Sequence, residues 1–67
     1  MNITLNNNKE VIEKDTLTVS ELLQIKKFTF KLLIIKINGQ VVKQQDYPTA
    51  QIREGDDVMV LHLISGG

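Results

Sequence analysis

Apolar and polar residues alternate from the first position, with Met1, Ile3 and Leu5 set against Asn2, Thr4 and Asn6. A period of two describes a strand with one face buried. Asn6-Asn7-Asn8-Lys9 reads as a turn, since Asn tolerates left-handed backbone, and residues 10–13 supply a short second strand. Together they predict a β-hairpin. The period then changes. Thr18-Val19-Ser20-Glu21 fits a capping box, in which the Thr18 hydroxyl and the Glu21 carboxylate each accept the other residue's backbone N–H. Leu17 and Leu22 occupy the flanking staple positions, and Val19, Leu22 and Leu23 form one apolar helical face. Lys26 and Lys27 fall where cations suit the helix dipole, so the predicted helix runs over 19–26. Phe28 and Phe30 follow in a connector and are expected to pack into the core.

Residues 31–38 form the strongest predicted strand, apolar on both faces over much of its length, which predicts a central strand. Asn38-Gly39 is the preferred pair for a two-residue type I′ turn, so Gln40-Val41-Val42 should fold back beside it. Residues 44–51, with Asp46, Tyr47 and Pro48, look irregular. Arg53-Glu54-Gly55-Asp56 is a further turn, and 57–64 the last strand. Strands interrupted by one helix define an α+β domain, with the helix laid across one face of a mixed sheet of four or five strands. A crossover through the helix between parallel strands would be right-handed.

Composition narrows the function. At 67 residues the chain is one small domain, which buries only about 60% of its unfolded surface and cannot easily enclose a large substrate pocket. Eight basic and eight acidic residues cancel, which argues against a nucleic-acid partner. Without Cys there is neither a disulfide framework nor a thiolate metal site, so stability must come from the 42% apolar content. The N-terminus lacks the basic and apolar regions of a signal peptide. The longest apolar run, 32–35, is far below the ~20 residues that span a bilayer. The expectation is a soluble cytoplasmic protein with no membrane partner.

Few residues offer chemistry. His62 is the only imidazole and sits between Leu61 and Leu63 in a strand, a poor metal candidate with a structural or surface role expected. Ser20 and Ser65 have no His at a recognisable spacing. Asp56 and Asp57 are strand neighbours pointing to opposite faces, so they read as a turn rather than a coupled carboxylate pair. Gly39 and Gly55 are isolated turn glycines, and Lys26-Lys27 is too small for a nucleic-acid patch. The unusual feature is Gly66-Gly67 directly after an apolar strand. Lacking side chains, the pair could be drawn through a narrow channel. Ser65 to Gly67 would reach roughly 10 Å at ~3.3–3.6 Å per residue. The alternative is an ordinary frayed terminus.

These segments in this order resemble the ThiS family of sulfur carriers, which share the ubiquitin-like β-grasp fold. The resemblance rests on Met1-Asn2-Ile3, Leu17-Thr18-Val19-Ser20-Glu21-Leu22-Leu23, Ile37-Asn38-Gly39-Gln40-Val41-Val42, the stretch 52–58 with Gly55-Asp56, and Gly66-Gly67. Ser65 stands where many members have a third Gly, and Tyr47 where a Trp is common. The resemblance implies that residues 1–64 form the β-grasp body and 65–67 a flexible tail. It implies that the Gly67 carboxylate is adenylated by a ThiF-like adenylyltransferase using ATP and Mg. A cysteine-desulfurase relay would then supply sulfur to make a thiocarboxylate, which is delivered to a ThiG-like thiazole synthase. On this reading the protein is not the catalyst, binds no cofactor of its own, and threads Ser65 and Gly66 with Gly67. Alternatives are a MoaD-like molybdopterin synthase small subunit, a tungsten-cofactor relative, or a non-covalent β-grasp interaction module. Recognition then falls to the body. Val58, Val60 and Ile64 share one strand parity, Met59, Leu61 and Leu63 the other. Val58 and Val60 are expected to be buried under the helix, leaving Met59, Leu61 and Leu63 as an apolar partner-binding face.

Overall fold

The computed structural model describes residues 1–28 and 33–62. Two tight turns organise it. β1 (Asn2–Leu5) and β2 (Asn8–Val11) pair antiparallel, with Leu5 opposite Asn8. The loop between them is only Asn6-Asn7, both at positive φ (50° and 68°). The second strand therefore begins at Asn8 rather than Glu10, because a type I′ loop needs two residues, not four. β4 (Leu33–Ile37) and β5 (Gln40–Val42) repeat the device through Asn38-Gly39, with φ of 51° and 84°, as the sequence predicts.

The main sheet has five strands in the order β2-β1-β7-β4-β5, where β7 is Asp57–His62. β1 and β7 run parallel; the other pairings are antiparallel. β4, expected to be the central strand, lies one place off centre between β7 and β5, and β7 takes the middle because it bonds to both β1 and β4. A second ladder of two residues per strand joins β3 (Leu17–Thr18) to β6 (Gln51–Ile52).

α1 spans Val19–Ile25, and both halves of the capping box form. Glu21 N–H donates to Thr18 Oγ1 at 3.1 Å, and Thr18 N–H donates to Glu21 Oε1 at 2.9 Å. The staple residues Leu17 and Leu22 are fully buried. The helix ends in a Schellman motif. Phe28 N–H donates to the Leu23 carbonyl at 2.8 Å and Lys27 N–H to that of Gln24 at 3.1 Å, with Lys27 at φ 57°. The two lysines are thus not in the last helical turn. Lys26 is the C-cap and its ammonium lies 2.9 Å from Glu10 on β2, an ion pair to the sheet rather than a dipole contact.

The segment expected to be irregular contains a single 3-10 turn, Gln44–Asp46. The Ala50 and Tyr47 carbonyls accept the Val19 and Ser20 N–H groups, so this segment closes over the helix N-terminus. The core is one cluster: Ile3 and Leu5 from β1, Ile35 from β4, Val58 and Val60 from β7, Val19 and Leu22 from α1, with Ile12, Leu17 and Ile52. Phe28 and Tyr47 pack against it; Phe30 lies outside the described residues.

Candidate functional site

Strand parity decides which side chains the sheet offers. In β7, Val58 (0% exposed) and Val60 (9%) point into the core beneath α1. Met59 is half-buried and Leu61 is 39% exposed on the opposite face. This is the division expected from the sequence for those four residues. Leu63, Ser65, Gly66 and Gly67 lie outside the described residues.

Register adds what a reading of β7 alone misses. Leu61 pairs with Ile34, Met59 with Lys36, and Lys36 in turn with Val41. Directly opposite residues in antiparallel strands hold their Cβ atoms about 4.5–5.5 Å apart. Ile34, Val41, Met59 and Leu61 therefore form one apolar patch across β5, β4 and β7, with Lys36 set into it. Val41 is 63% exposed, while Ile34 and Lys36 are half-buried. The signal was present in the sequence: a two-residue loop at Asn38-Gly39 forces Ile37 opposite Gln40, and hence Lys36 opposite Val41.

Two Asn side chains fix β7 at either end of this patch. At its start, Asp57 N–H donates to Asn38 Oδ1 at 2.9 Å and Asn38 N–H to the Asp57 carbonyl at 2.7 Å. Asn38 Nδ2 donates to Asp56 Oδ1 at 3.1 Å, while Asp56 Oδ2 accepts Arg53 N–H at 2.9 Å. Asp56 is thus a turn residue, as its sequence position suggests, and also ties that turn to the Asn38 hairpin. Further along, Val60 N–H donates to Asn6 Oδ1 at 2.8 Å. His62 is exposed at the end of β7, opposite Leu33. Among the described residues no three His, Asp or Glu side chains are grouped to hold a metal. None of their helices is long and apolar enough to cross a membrane.

Perturbed carboxylates lie away from the patch and serve the fold. The Glu21 carboxyl is held below its ordinary value, first by the Lys14 side chain and then by the Thr18 backbone N–H. Glu54 is lowered mainly by the Asn2 backbone N–H, which donates to it at 2.9 Å. Partial burial raises the Tyr47 phenol.

A five-stranded mixed sheet, one helix across one face and an open apolar patch on the other define a β-grasp domain. The ThiS family model matches residues 2–67, and the chain belongs to the ThiS family. It is similar to the crystal structure of a thiamine biosynthesis protein (ThiS) from Geobacter metallireducens, at 28% identity and a TM-score of 0.90, each chain covered in full. A solution structure of a thiamine biosynthesis protein from the same organism matches at 28% identity and a TM-score of 0.81, covering all of this chain and 88% of that one.

Proposed function

We propose that this protein is a sulfur carrier of thiamine biosynthesis, whose residues 1–64 act as a handle for a tail at 65–67. The observation that carries the reading is that the family match runs through residue 67 and so takes in Gly66-Gly67. The similar ThiS from Geobacter metallireducens supports the pathway.

The chemistry follows from what a carboxylate lacks. It is a poor electrophile, because its charge resists attack and oxide is no leaving group. A Gly67 carboxylate oxygen attacks the α-phosphorus of ATP on a ThiF-like adenylyltransferase, and pyrophosphate departs. The terminal sulfur of a persulfide from a desulfurase relay then attacks the acyl carbon and AMP leaves. A second thiol cleaves the resulting acyl disulfide. The thiocarboxylate remains on Gly67, and the other sulfur departs in a new disulfide. A ThiG-like thiazole synthase receives the sulfur. ATP and Mg belong to the adenylating partner, and this chain is a protein substrate in a cytoplasmic relay. Met59 and Leu61, joined by Ile34 and Val41, form the docking face, with Leu63 continuing the same parity.

Intact mass tests the reading. With ATP, Mg, a ThiF-like enzyme, a desulfurase and cysteine, one oxygen of the chain should be exchanged for sulfur, and deletion of Gly67 should abolish the change. An unmodified chain, under conditions where an established carrier reacts, overturns it.

A further inference from the structure

Lys36 interrupts the otherwise apolar β4, Leu33-Ile34-Ile35-Lys36-Ile37. Its parity places it with Ile34 on the sheet face away from the core, between Met59 on β7 and Val41 on β5. It is half-buried, the burial typical of a lysine on an apolar surface, whose methylene stem can cover apolar neighbours while its ammonium reaches water. The ion pairs Lys14–Glu21 and Lys26–Glu10 do not involve it.

Any partner that covers Ile34, Val41, Met59 and Leu61 must also cover Lys36. Burying an ammonium without a compensating charge is costly, and a buried charge left alone is far more unfavourable than a matched pair. An all-apolar surface of the right shape would therefore be rejected, and one with a carboxylate at the matching point accepted. This is discrimination through the cost of the wrong partner as much as attraction to the right one.

We propose that Lys36 is the specificity-determining residue of the docking face, and that the adenylating partner meets it with a carboxylate set within an apolar surface. The proposal rests on the docking reading above, and the experiment separates the two. Binding of a purified ThiF-like adenylyltransferase from the same organism is measured for the full chain and for Lys36→Arg, Lys36→Met, Lys36→Glu, Leu61→Asp and Val41→Asp. Each is measured at low and high salt, with thermal unfolding alongside to show that each variant folds. Lys36→Met should bind about thirtyfold or more weakly, because it strands the partner's carboxylate, and should lose much of the salt dependence. Lys36→Glu should bind more weakly still, and Lys36→Arg within a few-fold of the parent. If Lys36→Met binds as tightly as the parent with unchanged salt dependence, while Leu61→Asp or Val41→Asp abolishes binding, the face docks but no carboxylate meets Lys36, and the proposal fails alone. If both aspartate variants fold and bind like the parent, the docking reading fails and the proposal with it.

Discussion

The side-chain carbonyl of Asn6 accepts the backbone N–H of Val60 at 2.8 Å. Up to this point β1 and β7 are joined by backbone rungs, Thr4 N–H to the Asp56 carbonyl and Asn6 N–H to that of Val58, both at 2.9 Å. In a parallel ladder the next rung would come from the Asn6 backbone carbonyl. At Asn6 the chain enters the left-handed region and turns into the hairpin, so the side chain takes over that rung. One residue serves both as a turn former and as an extension of the sheet.

Replacing Asn6 should separate these roles. Asn6→Gly keeps the turn and loses the rung, leaving the nearly buried Val60 N–H unpaired at a cost of about 1–3 kcal/mol. Asn6→Ala adds a left-handed penalty of roughly 1–2 kcal/mol and should be the less stable of the two. Asn6→Asp, which retains the acceptor, should lose least. Urea unfolding midpoints measure the order, and equal stability of the Gly and Asp variants would contradict the account.

Lys27 holds the left-handed position of the Schellman motif, which glycine ordinarily fills. Lys27→Gly relieves the backbone strain but admits more freedom to the unfolded chain. The net gain should be about 0.5 kcal/mol or somewhat more. A loss of stability in thermal unfolding would show that the lysine side chain contributes a contact worth more than the strain.

Leu22 is fully buried between the capping box and the sheet. Leu22→Ala should cost about 2–5 kcal/mol. A domain of this size has only about 3–10 kcal/mol in total at typical per-residue stabilities, so circular dichroism should show a large drop in melting temperature or an unfolded chain. Lys14→Ala is the contrasting control. Its ion pair with Glu21 spans 2.7 Å but is well exposed, and such pairs contribute about 1 kcal/mol at most.

Acid should weaken the fold in a defined window. Glu21 and Glu54 both titrate below their ordinary 4.5 in the folded protein. A group depressed on folding adds stability above its unfolded value, and that stability drains away as pH falls through the folded one. Unfolding free energy should therefore be level near neutrality and decline below about pH 4.5. Glu54→Gln, which cannot titrate, should flatten part of the decline. A decline as steep as the parent's would remove Glu54 from the explanation.

Legibility in the sequence followed the range of the interactions. The capping box, the staple and the Asn38-Gly39 turn are encoded within a few residues, and all three form. The alternation in β7 was enough to separate Val58 and Val60 from Met59 and Leu61. What stayed hidden joins distant segments: Asn6 to Val60, Asn38 to Asp56, Lys26 to Glu10, and the β3–β6 ladder. Asn6 and Asn38 are both ordinary turn residues by composition, and nothing local says that their amides also reach β7 or its preceding turn. The helix ends within one residue of the expected position, but the roles of its lysines are not local either. Lys26 and Lys27 have the right charge for a dipole contact, but Lys27 supplies the left-handed bend and Lys26 turns to a carboxylate on another strand.

The place of β7 in the middle of the sheet has a mechanical consequence. Tension applied to the chain beyond His62 enters a strand bonded on both sides, to β1 and to β4. A pull along β7 loads its rungs together, in shear, rather than peeling them one after another from an edge. Strain entering there is therefore shared among the rungs to both neighbours rather than concentrated on one hydrogen bond.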